Sequence, residues 1–243
     1  MPSLILTPRH TEDSQLLWRA AMTLGWAVER LTSWKVPERA AEMEEPVLYL
    51  EALMAPTLAR SFGLSLVEPP ENWLPELPLE YRRRDVVITS LGNARLSSQK
   101  LFVKPPNDKS FPARLYAGHE LPTEFSDEMQ VLVAEPVVWE IEFRCFILDR
   151  ELRTLSIYLR SGELQREEGF ACSEQEEAAA RGFVQTLLSD PRVELPRAIV
   201  IDVGKINGRG WAVVEPNAAW GSGIYGCDPV EVLKVLRFAA VKI

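Results

Sequence analysis

The sequence predicts an α+β chain in two parts: a small α/β layer over residues 1–95 and a larger body over residues 96–243 built on antiparallel sheet. Short apolar runs alternate with helical patterns in the first third of the chain. The remainder instead contains two pairs of strand patterns, each joined by a tight turn. The 243 residues are 47% hydrophobic, which is enough for a sizeable core and excludes an intrinsically disordered chain.

The first third predicts an alternating order of elements. Strand, helix, strand, helix and strand are expected over residues 3–7, 11–31, 46–50, 51–62 and 64–67. Thr11 or Ser14 is a suitable N-cap for the first helix, and Gly63 is suited to ending the second. Strands and helices that alternate in this way favour a mostly parallel layer.

The remainder predicts an antiparallel sheet with helices on one side. One hairpin is expected over residues 142–159 with its turn at Asp149-Arg150, and a second over residues 199–215 with its turn at Asn207-Gly208. Other strands are expected over residues 100–104 and 129–136, and helices over residues 174–188 and 229–240.

The composition limits the classes of function. A formal net charge of −8 argues against general binding of nucleic acid or of anionic membrane, both of which need a basic face. No window reaches the roughly 18 apolar residues of a membrane helix, and the amino terminus lacks a signal-peptide pattern, so the cytoplasm is the predicted compartment. With only two histidines, a histidine-based zinc site or a Ser-His-Asp triad is not expected.

Three oxygen-bearing side chains are predicted to meet on the second hairpin. Asp202 lies within an apolar strand, where an unpaired carboxylate costs several kcal/mol, so a partner or a metal is expected. Glu215 and Asn217 share one face of the sister strand because side chains repeat every second residue. Asp202 is predicted to lie opposite Val213 and diagonal to Glu215. Oxygen donors without a nearby histidine or thiol favour magnesium.

Two other interpretations of these acidic residues stay open. The end of the hairpin could solvate itself or pair with Lys205 or Arg209. A metal-dependent nuclease of the restriction-enzyme-like type also places an Asp and a Glu on neighbouring strands. That family needs a lysine two residues after the Glu, where this chain has Asn217.

Residues upstream of the hairpin complete a recognisable pattern. Lys104 ends a short apolar strand, where its ammonium is suited to phosphate oxygens. A later strand ends at Glu135, and Glu142 follows seven residues on, in the next strand. With the Asp, Glu and Asn of the hairpin, these features resemble the ATP-grasp superfamily, over about residues 98–240. The Phe-Val-Lys-Pro and Glu-Phe-Arg strings are similar to its compact bacterial and phage-associated branch. The first third is similar to the small α/β domain that commonly precedes an ATP-grasp fold.

The resemblance implies an ATP- and magnesium-dependent ligase that joins a carboxylate to an amine through an acyl phosphate, on small-molecule or peptide substrates. It implies phosphate contacts from Lys104 and Lys109, adenine contacts from Glu135 and the backbone of Val137, ribose contacts from Glu142, and magnesium ligands at Asp202, Glu215 and Asn217. Arg144 and Arg160 are implied as catalytic clamps on the γ-phosphate or on a substrate carboxylate. A salt bridge with Glu142 or Glu151 is the alternative for Arg144. A nucleotide-binding module without catalysis is the other function left open.

One position departs from the better-known ligases of the superfamily. They often carry an arginine two residues before the metal-binding Asp, where this chain has Val200. Arg144, Arg160 or Lys205 is therefore expected to supply the missing positive charge.

Overall fold

The computed structural model describes residues 1–36, 43–107 and 109–243. The α-helices are α1 (Glu12–Thr23), α2 (Ala55–Ser61), α3 (Trp73–Glu76), α4 (Leu79–Arg82), α5 (Leu91–Arg95), α6 (Glu174–Ser189) and α7 (Pro229–Leu236). The strands are β1 (Pro2–Leu6), β2 (Ala27–Arg30), β3 (Glu45–Tyr49), β4 (Leu64–Leu66), β5 (Val86–Ser90), β6 (Leu101–Lys104), β7 (Arg114–Tyr116), β8 (Gln130–Ala134), β9 (Trp139–Leu148), β10 (Glu151–Arg160), β11 (Glu163–Leu164), β12 (Ala198–Ile206), β13 (Gly210–Asn217) and β14 (Ala240–Lys242). None of these helices has the length and apolar character needed to cross a membrane.

The front layer is a parallel sheet in the order β2-β1-β3, as the alternating pattern predicts. Helix α1 begins where Thr11 and Ser14 each accept a hydrogen bond from the other's backbone N–H, a capping box that satisfies two helix-end donors. The predicted first helix is too long. It ends at Thr23, because Gly25 adopts a φ of +70°, and the apolar residues beyond it belong to β2.

The C-terminal segment returns to the front layer. The strand expected over residues 64–67 is present as β4, but it pairs antiparallel with β14 and does not join the front sheet. The predicted final helix is correspondingly too long, since α7 ends at Leu236 and β14 begins at Ala240. Buried residues of α7 share one apolar core with α1 and the front sheet.

The larger antiparallel sheet has the order β11-β10-β9-β12-β13, with β9 at its centre. Both predicted hairpins are confirmed, and Asp149 and Arg150 adopt the positive φ values of a tight two-residue turn. The prediction of helices on one side is wrong. Phe146 and Val200 pack towards the front layer and α7, whereas Cys145 and Ile147 pack with α6 on the opposite face. A sheet buried on both faces can exclude water from a polar site that it carries.

A smaller antiparallel sheet, in the order β5-β8-β6-β7, faces the larger one. Leu132 and Ala134 of β8 belong to the same buried core as Ile141 and Val203 of the larger sheet. Strand β5 lies before residue 95, yet it pairs with β8 beyond it. The domain boundary near residue 95 stays a prediction. The two facing sheets leave room for cavities between their ends.

Candidate active site

Asp202, Glu215 and Asn217 meet at the open end of the second hairpin. A β-bulge between Asp202 and Val203 shifts the register, so that Asp202 lies directly opposite Glu215. The predicted pairing of Asp202 with Val213 is therefore wrong, since Val213 faces Val203. The side-chain amide of Asn217 donates to Asp202 Oδ2 at 3.1 Å and to Glu215 Oε1 at 3.2 Å. The predicted convergence of the three side chains is present in the structure.

Asp202 forms a buried ion pair with Arg144. The carboxylate has no exposed surface, and it accepts from Arg144 Nε at 2.9 Å and from Nη2 at 2.7 Å. The third nitrogen, Nη1, donates to the carbonyl of Gly223 at 3.0 Å. Burial raises the pKa of Asp202, and the Arg144 guanidinium opposes that rise. Arg144 thus pairs with neither Glu142 nor Glu151, and it places a positive charge beside the predicted metal-binding Asp.

Two tyrosine rings enclose the Arg144 guanidinium on its other sides. Tyr158 and Tyr225 stack with ring centroids 5.1 Å apart, and the guanidinium carbon lies 5.3 Å and 4.8 Å from the two rings. Cation–π contacts of this kind hold a guanidinium in one orientation. Since its nitrogens already donate to Asp202 and Gly223, Arg144 is held by the protein itself.

Glu215 pairs with Lys104, the lysine at the end of β6. Although burial opposes ionisation, the Lys104 ammonium lowers the pKa of Glu215. The smaller sheet contributes Lys104 and the larger sheet contributes Glu215. This ion pair therefore connects the two sheets at the site.

The donor set suits a hard cation. Two carboxylates and one amide are the number and type of protein ligands that magnesium takes when it keeps water and phosphate oxygens. Asn217 has to turn its amide to present oxygen, because its nitrogen faces both carboxylates. No larger cluster of acidic, histidine or cysteine side chains suited to a metal occurs in residues 1–36, 43–107 and 109–243. Asp202, Glu215 and Asn217 are therefore the residues that would hold magnesium.

A cavity of about 250 Å³ lies on one side of the Lys104–Glu215 pair. Its walls come from both antiparallel sheets and include Phe102, Leu132 and Trp139. An apolar slot with a few polar groups at its edge is typical of a site for a flat organic ring. Val137 also lines the cavity, and its peptide groups form no backbone hydrogen bond within the described ranges. The predicted adenine-binding segment therefore lies at this cavity.

Glu135 lies at the same cavity and is already paired. Arg209, from the turn of the second hairpin, donates to both carboxylate oxygens of Glu135, at 2.5 Å and 2.9 Å. These hydrogen bonds lower the pKa of Glu135 to about 2. The ion pair ties the segment after β8 to the hairpin that carries the acidic residues.

A second cavity, of about 720 Å³, lies on the other side of Lys104 and Glu215. Lys109, Arg144 and Asn217 also line it. Its far wall is the loop 220–225, which contains Trp220, Gly221, Ser222, Gly223 and Tyr225. The two cavities meet at Lys104, Asn107, Glu215 and Pro216. A ligand that extends from one cavity into the other has to pass the Lys104–Glu215 pair.

The front layer supports the loop of the second cavity. Asp13 of α1 accepts hydrogen bonds from the backbone N–H of Ile224 at 3.0 Å and from the hydroxyl of Tyr49 at 3.2 Å. The backbone N–H of Leu50 donates to the carbonyl of Trp220. The N-terminal part of the chain therefore helps to shape this wall.

A family model for an ATP-grasp domain, the second family of its clade, matches residues 81–235. The chain belongs to this ATP-grasp family. The match spans both antiparallel sheets and includes Lys104, the Glu135 segment and the acidic hairpin. The ATP-grasp resemblance predicted from the sequence is confirmed.

Solved structures share the ATP-grasp fold over nearly the whole chain. A RimK domain ATP-grasp protein from Sphaerobacter thermophilus is 15% identical, with a TM-score of 0.56 over 98% of this chain and 99% of that one. A D-alanine–D-alanine ligase from Bacillus anthracis complexed with ATP is 12% identical, with a TM-score of 0.53 over 98% and 96%. The ATP-grasp ligase PsnB, complexed with a minimal precursor, Mg and ADP, is 12% identical, with a TM-score of 0.50 over 97% of each chain. A comparison with curated protein sequences found no match.

Glu142 of this ATP-grasp chain lies apart from both cavities. Only 7% of the residue is exposed, it does not line either cavity, and its carboxylate accepts from the Tyr158 hydroxyl at 2.9 Å. Burial raises the pKa of Glu142 to about 7, and the Asp202 and Glu215 carboxylates add to that rise. To contact a ribose, as the resemblance implies, the side chain has to leave Tyr158.

We expect the raised pKa of Glu142 to make the fold less stable at high pH. Between about pH 4.3, the ordinary pKa of glutamic acid, and pH 7 the folded chain binds more protons than the unfolded one, so the free energy of unfolding falls as pH rises. Relative to Glu142→Gln, the wild type should lose about 2–3 kcal/mol between pH 5 and pH 8. Urea unfolding at several pH values measures this difference. Parallel curves for the two proteins would contradict it.

Arg160 also lies outside both cavities. Its guanidinium donates to the two oxygens of Glu176, at 2.8 Å and 3.2 Å, at the start of α6. This pairing competes with any contact to a γ-phosphate. Of the three cations expected to replace the missing arginine, Arg144 is the one that contacts Asp202.

Arg84 is a residue of the site that the sequence analysis does not identify. It is 6% exposed, it lines the smaller cavity, and its guanidinium carbon lies 5.0 Å from the Trp139 ring. The only signal in the sequence is the run of three arginines at 82–84 before β5. Nothing in that run distinguishes the arginine that turns inward.

Proposed function

We propose that the chain is an ATP- and magnesium-dependent ligase that joins a carboxylate to an amine. The observation that supports this most strongly is the meeting of Asp202, Glu215, Asn217 and Lys104 where the two cavities join. Adenine occupies the smaller, apolar cavity, the triphosphate passes Lys104, and the γ-phosphate reaches the larger cavity. The larger cavity then holds the acid and the amine.

The reaction has two steps. An oxygen of the substrate carboxylate attacks the γ-phosphorus, the bond to the β-phosphate oxygen breaks, and ADP leaves. The amine nitrogen then attacks the carbonyl carbon of the acyl phosphate, phosphate leaves, and the nitrogen loses a proton to solvent. When bound, magnesium supplies charge neutralisation on the phosphate oxygens. No protein nucleophile is needed.

The residues of the chain bind and orient the reactants. Lys104 and Lys109 are the cations for phosphate oxygens, and the Val137 backbone is the hydrogen-bonding edge for adenine. Arg144 keeps Asp202 ionised and in place, since all three guanidinium nitrogens bind protein oxygens. The aromatic loop 220–225 and the two sheets exclude water that would hydrolyse an acyl phosphate.

The direct test is magnesium-dependent ADP formation with a panel of carboxylic acids and amines. The proposal predicts ADP and phosphate in equal amounts, and only when an acid is present. Binding of ATP with magnesium but without turnover across the panel would instead favour the nucleotide-binding module without catalysis.

Lys104→Met is expected to weaken binding of ATP and ADP by about 10–100-fold and to leave adenosine binding unchanged. A hydrogen bond to a charged group contributes about 1.5–3 kcal/mol, and only the phosphates receive this one. Calorimetric titration with the three ligands measures the difference. Lys205→Met is a matched control, because Lys205 also forms a single pair, with Glu140 at 2.7 Å, but lines neither cavity. An equal loss for adenosine would contradict the phosphate role.

A further inference from the structure

Arg84 is a buried cation whose hydrogen bonds go to backbone oxygens. Nη1 donates to the carbonyls of Val213 at 2.7 Å and Arg82 at 3.0 Å, and Nη2 donates to the carbonyl of Val214 at 2.8 Å. No ion pair links Arg84 to a carboxylate in the described part of the chain. Burial lowers the pKa of Arg84 to about 10, which leaves it charged at neutral pH. Such an arrangement is costly unless the charge or the donors have a use.

The two carbonyls belong to the bulge in β13. Asp202 faces Glu215 and the next residue, Val203, faces Val213, so Val214 is the extra residue without a partner across the ladder. Strand β13 is also the edge of the larger sheet, so no further strand covers its outer side. Arg84 supplies the donors that a neighbouring strand would supply.

The bulge determines where Glu215 lies. Without the extra residue at Val214, the regular register would put Val214 or Val213 opposite Asp202 and move Glu215 along the strand. With it, Glu215 and Asp202 face each other, and Asn217 reaches both. The guanidinium that satisfies the bulge is therefore one residue away from the acidic pair.

We propose that Arg84 is a positioning residue, which holds the bulge at Val213 and Val214 and so keeps Glu215 opposite Asp202. Its role in metal binding rests on the proposed function, whereas its role in the bulge does not. Arg84 acts through the backbone of β13 and touches no reacting atom.

The test compares Arg84→Lys and Arg84→Met with the same changes at Arg150. Arg150 is a matched control because its guanidinium also donates to three carbonyls, those of Leu188, Val193 and Asp190, far from the two cavities. Amide hydrogen exchange over residues 211–217 should become at least about tenfold faster in Arg84→Met, since the carbonyls lose their donors. Arg84→Lys, which keeps a cation and its donors, should recover part of the protection. Both Arg150 variants should leave this segment unchanged.

A second readout addresses metal binding. In the presence of ADP, Mn²⁺ binding followed by electron paramagnetic resonance should weaken about tenfold or more in Arg84→Met and less in Arg84→Lys. Unchanged exchange in β13 in a folded Arg84 variant would overturn the proposal, as would an Arg84→Lys protein that is merely less stable overall, with uniform exchange. Wild-type protein that binds no Mn²⁺ would overturn the proposed function, while the exchange data would still decide the role of Arg84.

Discussion

Asp202→Ala is expected to lower the free energy of unfolding by about 3–5 kcal/mol, a large fraction of the stability of a domain. The change removes the carboxylate that pairs with Arg144 through two hydrogen bonds, and it leaves the guanidinium charge buried without compensation. The Gly223 carbonyl and the two tyrosine rings cannot replace a negative charge. Urea unfolding at pH 7, followed by circular dichroism, measures the loss.

Two comparisons separate the buried charge from the loss of a salt bridge in general. Glu177→Ala breaks a half-exposed pair with Arg181 on α6 and should cost less than about 1 kcal/mol. The double variant Arg144→Met/Asp202→Leu should recover much of the stability, because it removes both charges and fills the space with apolar atoms. It should nevertheless stay inactive. If Asp202→Ala lost no more stability than Glu177→Ala, the buried pair would contribute little to the fold.

The local elements of the site could be predicted from the sequence because their signals are local. Asn207-Gly208 fixes the position of the second hairpin turn, and side-chain alternation then places Glu215 and Asn217 on one face. The apolar strand that ends in Lys104 is equally visible. Order and spacing along the chain were therefore enough to indicate the family.

The contacts across the fold could not be predicted in the same way. A one-residue bulge leaves no distinctive residue type in β13, so the register opposite Asp202 was wrong. The pairing of Asp202 with Arg144 needs β9 beside β12, and the sequence does not state which strands are neighbours. Arg160 and Arg144 are alike as sequence residues, but only tertiary packing puts one on Glu176 and the other on Asp202. Long-range packing therefore decides which predicted cation reaches the acidic pair.

Glu215→Gln is expected to reduce magnesium-dependent turnover by about 10²–10³-fold while the chain remains folded. The change keeps the size of the side chain but removes one of the two carboxylates that would hold magnesium, and electrostatic groups at a reacting phosphate each contribute effects of this size. The fold should tolerate it, because Glu215 is partly exposed and Lys104 can be solvated at the junction of the two cavities. Steady-state ADP formation across a range of magnesium concentrations measures the loss.

Glu231→Gln provides the matched control for this change. Glu231 also accepts from cationic side chains, Arg153 at 2.8 Å and Lys234 at 2.5 Å, but it lies on α7 and lines neither cavity. Turnover of that variant should stay within about twofold of the wild type, so a larger effect at Glu215 reports on the site and not on ion pairing as such. Higher magnesium should restore part of the activity of Glu215→Gln if the remaining ligands, Asp202 and Asn217, still bind the ion weakly. Turnover that is unchanged in Glu215→Gln at every magnesium concentration would exclude Glu215 as a ligand and with it the proposed use of the acidic hairpin.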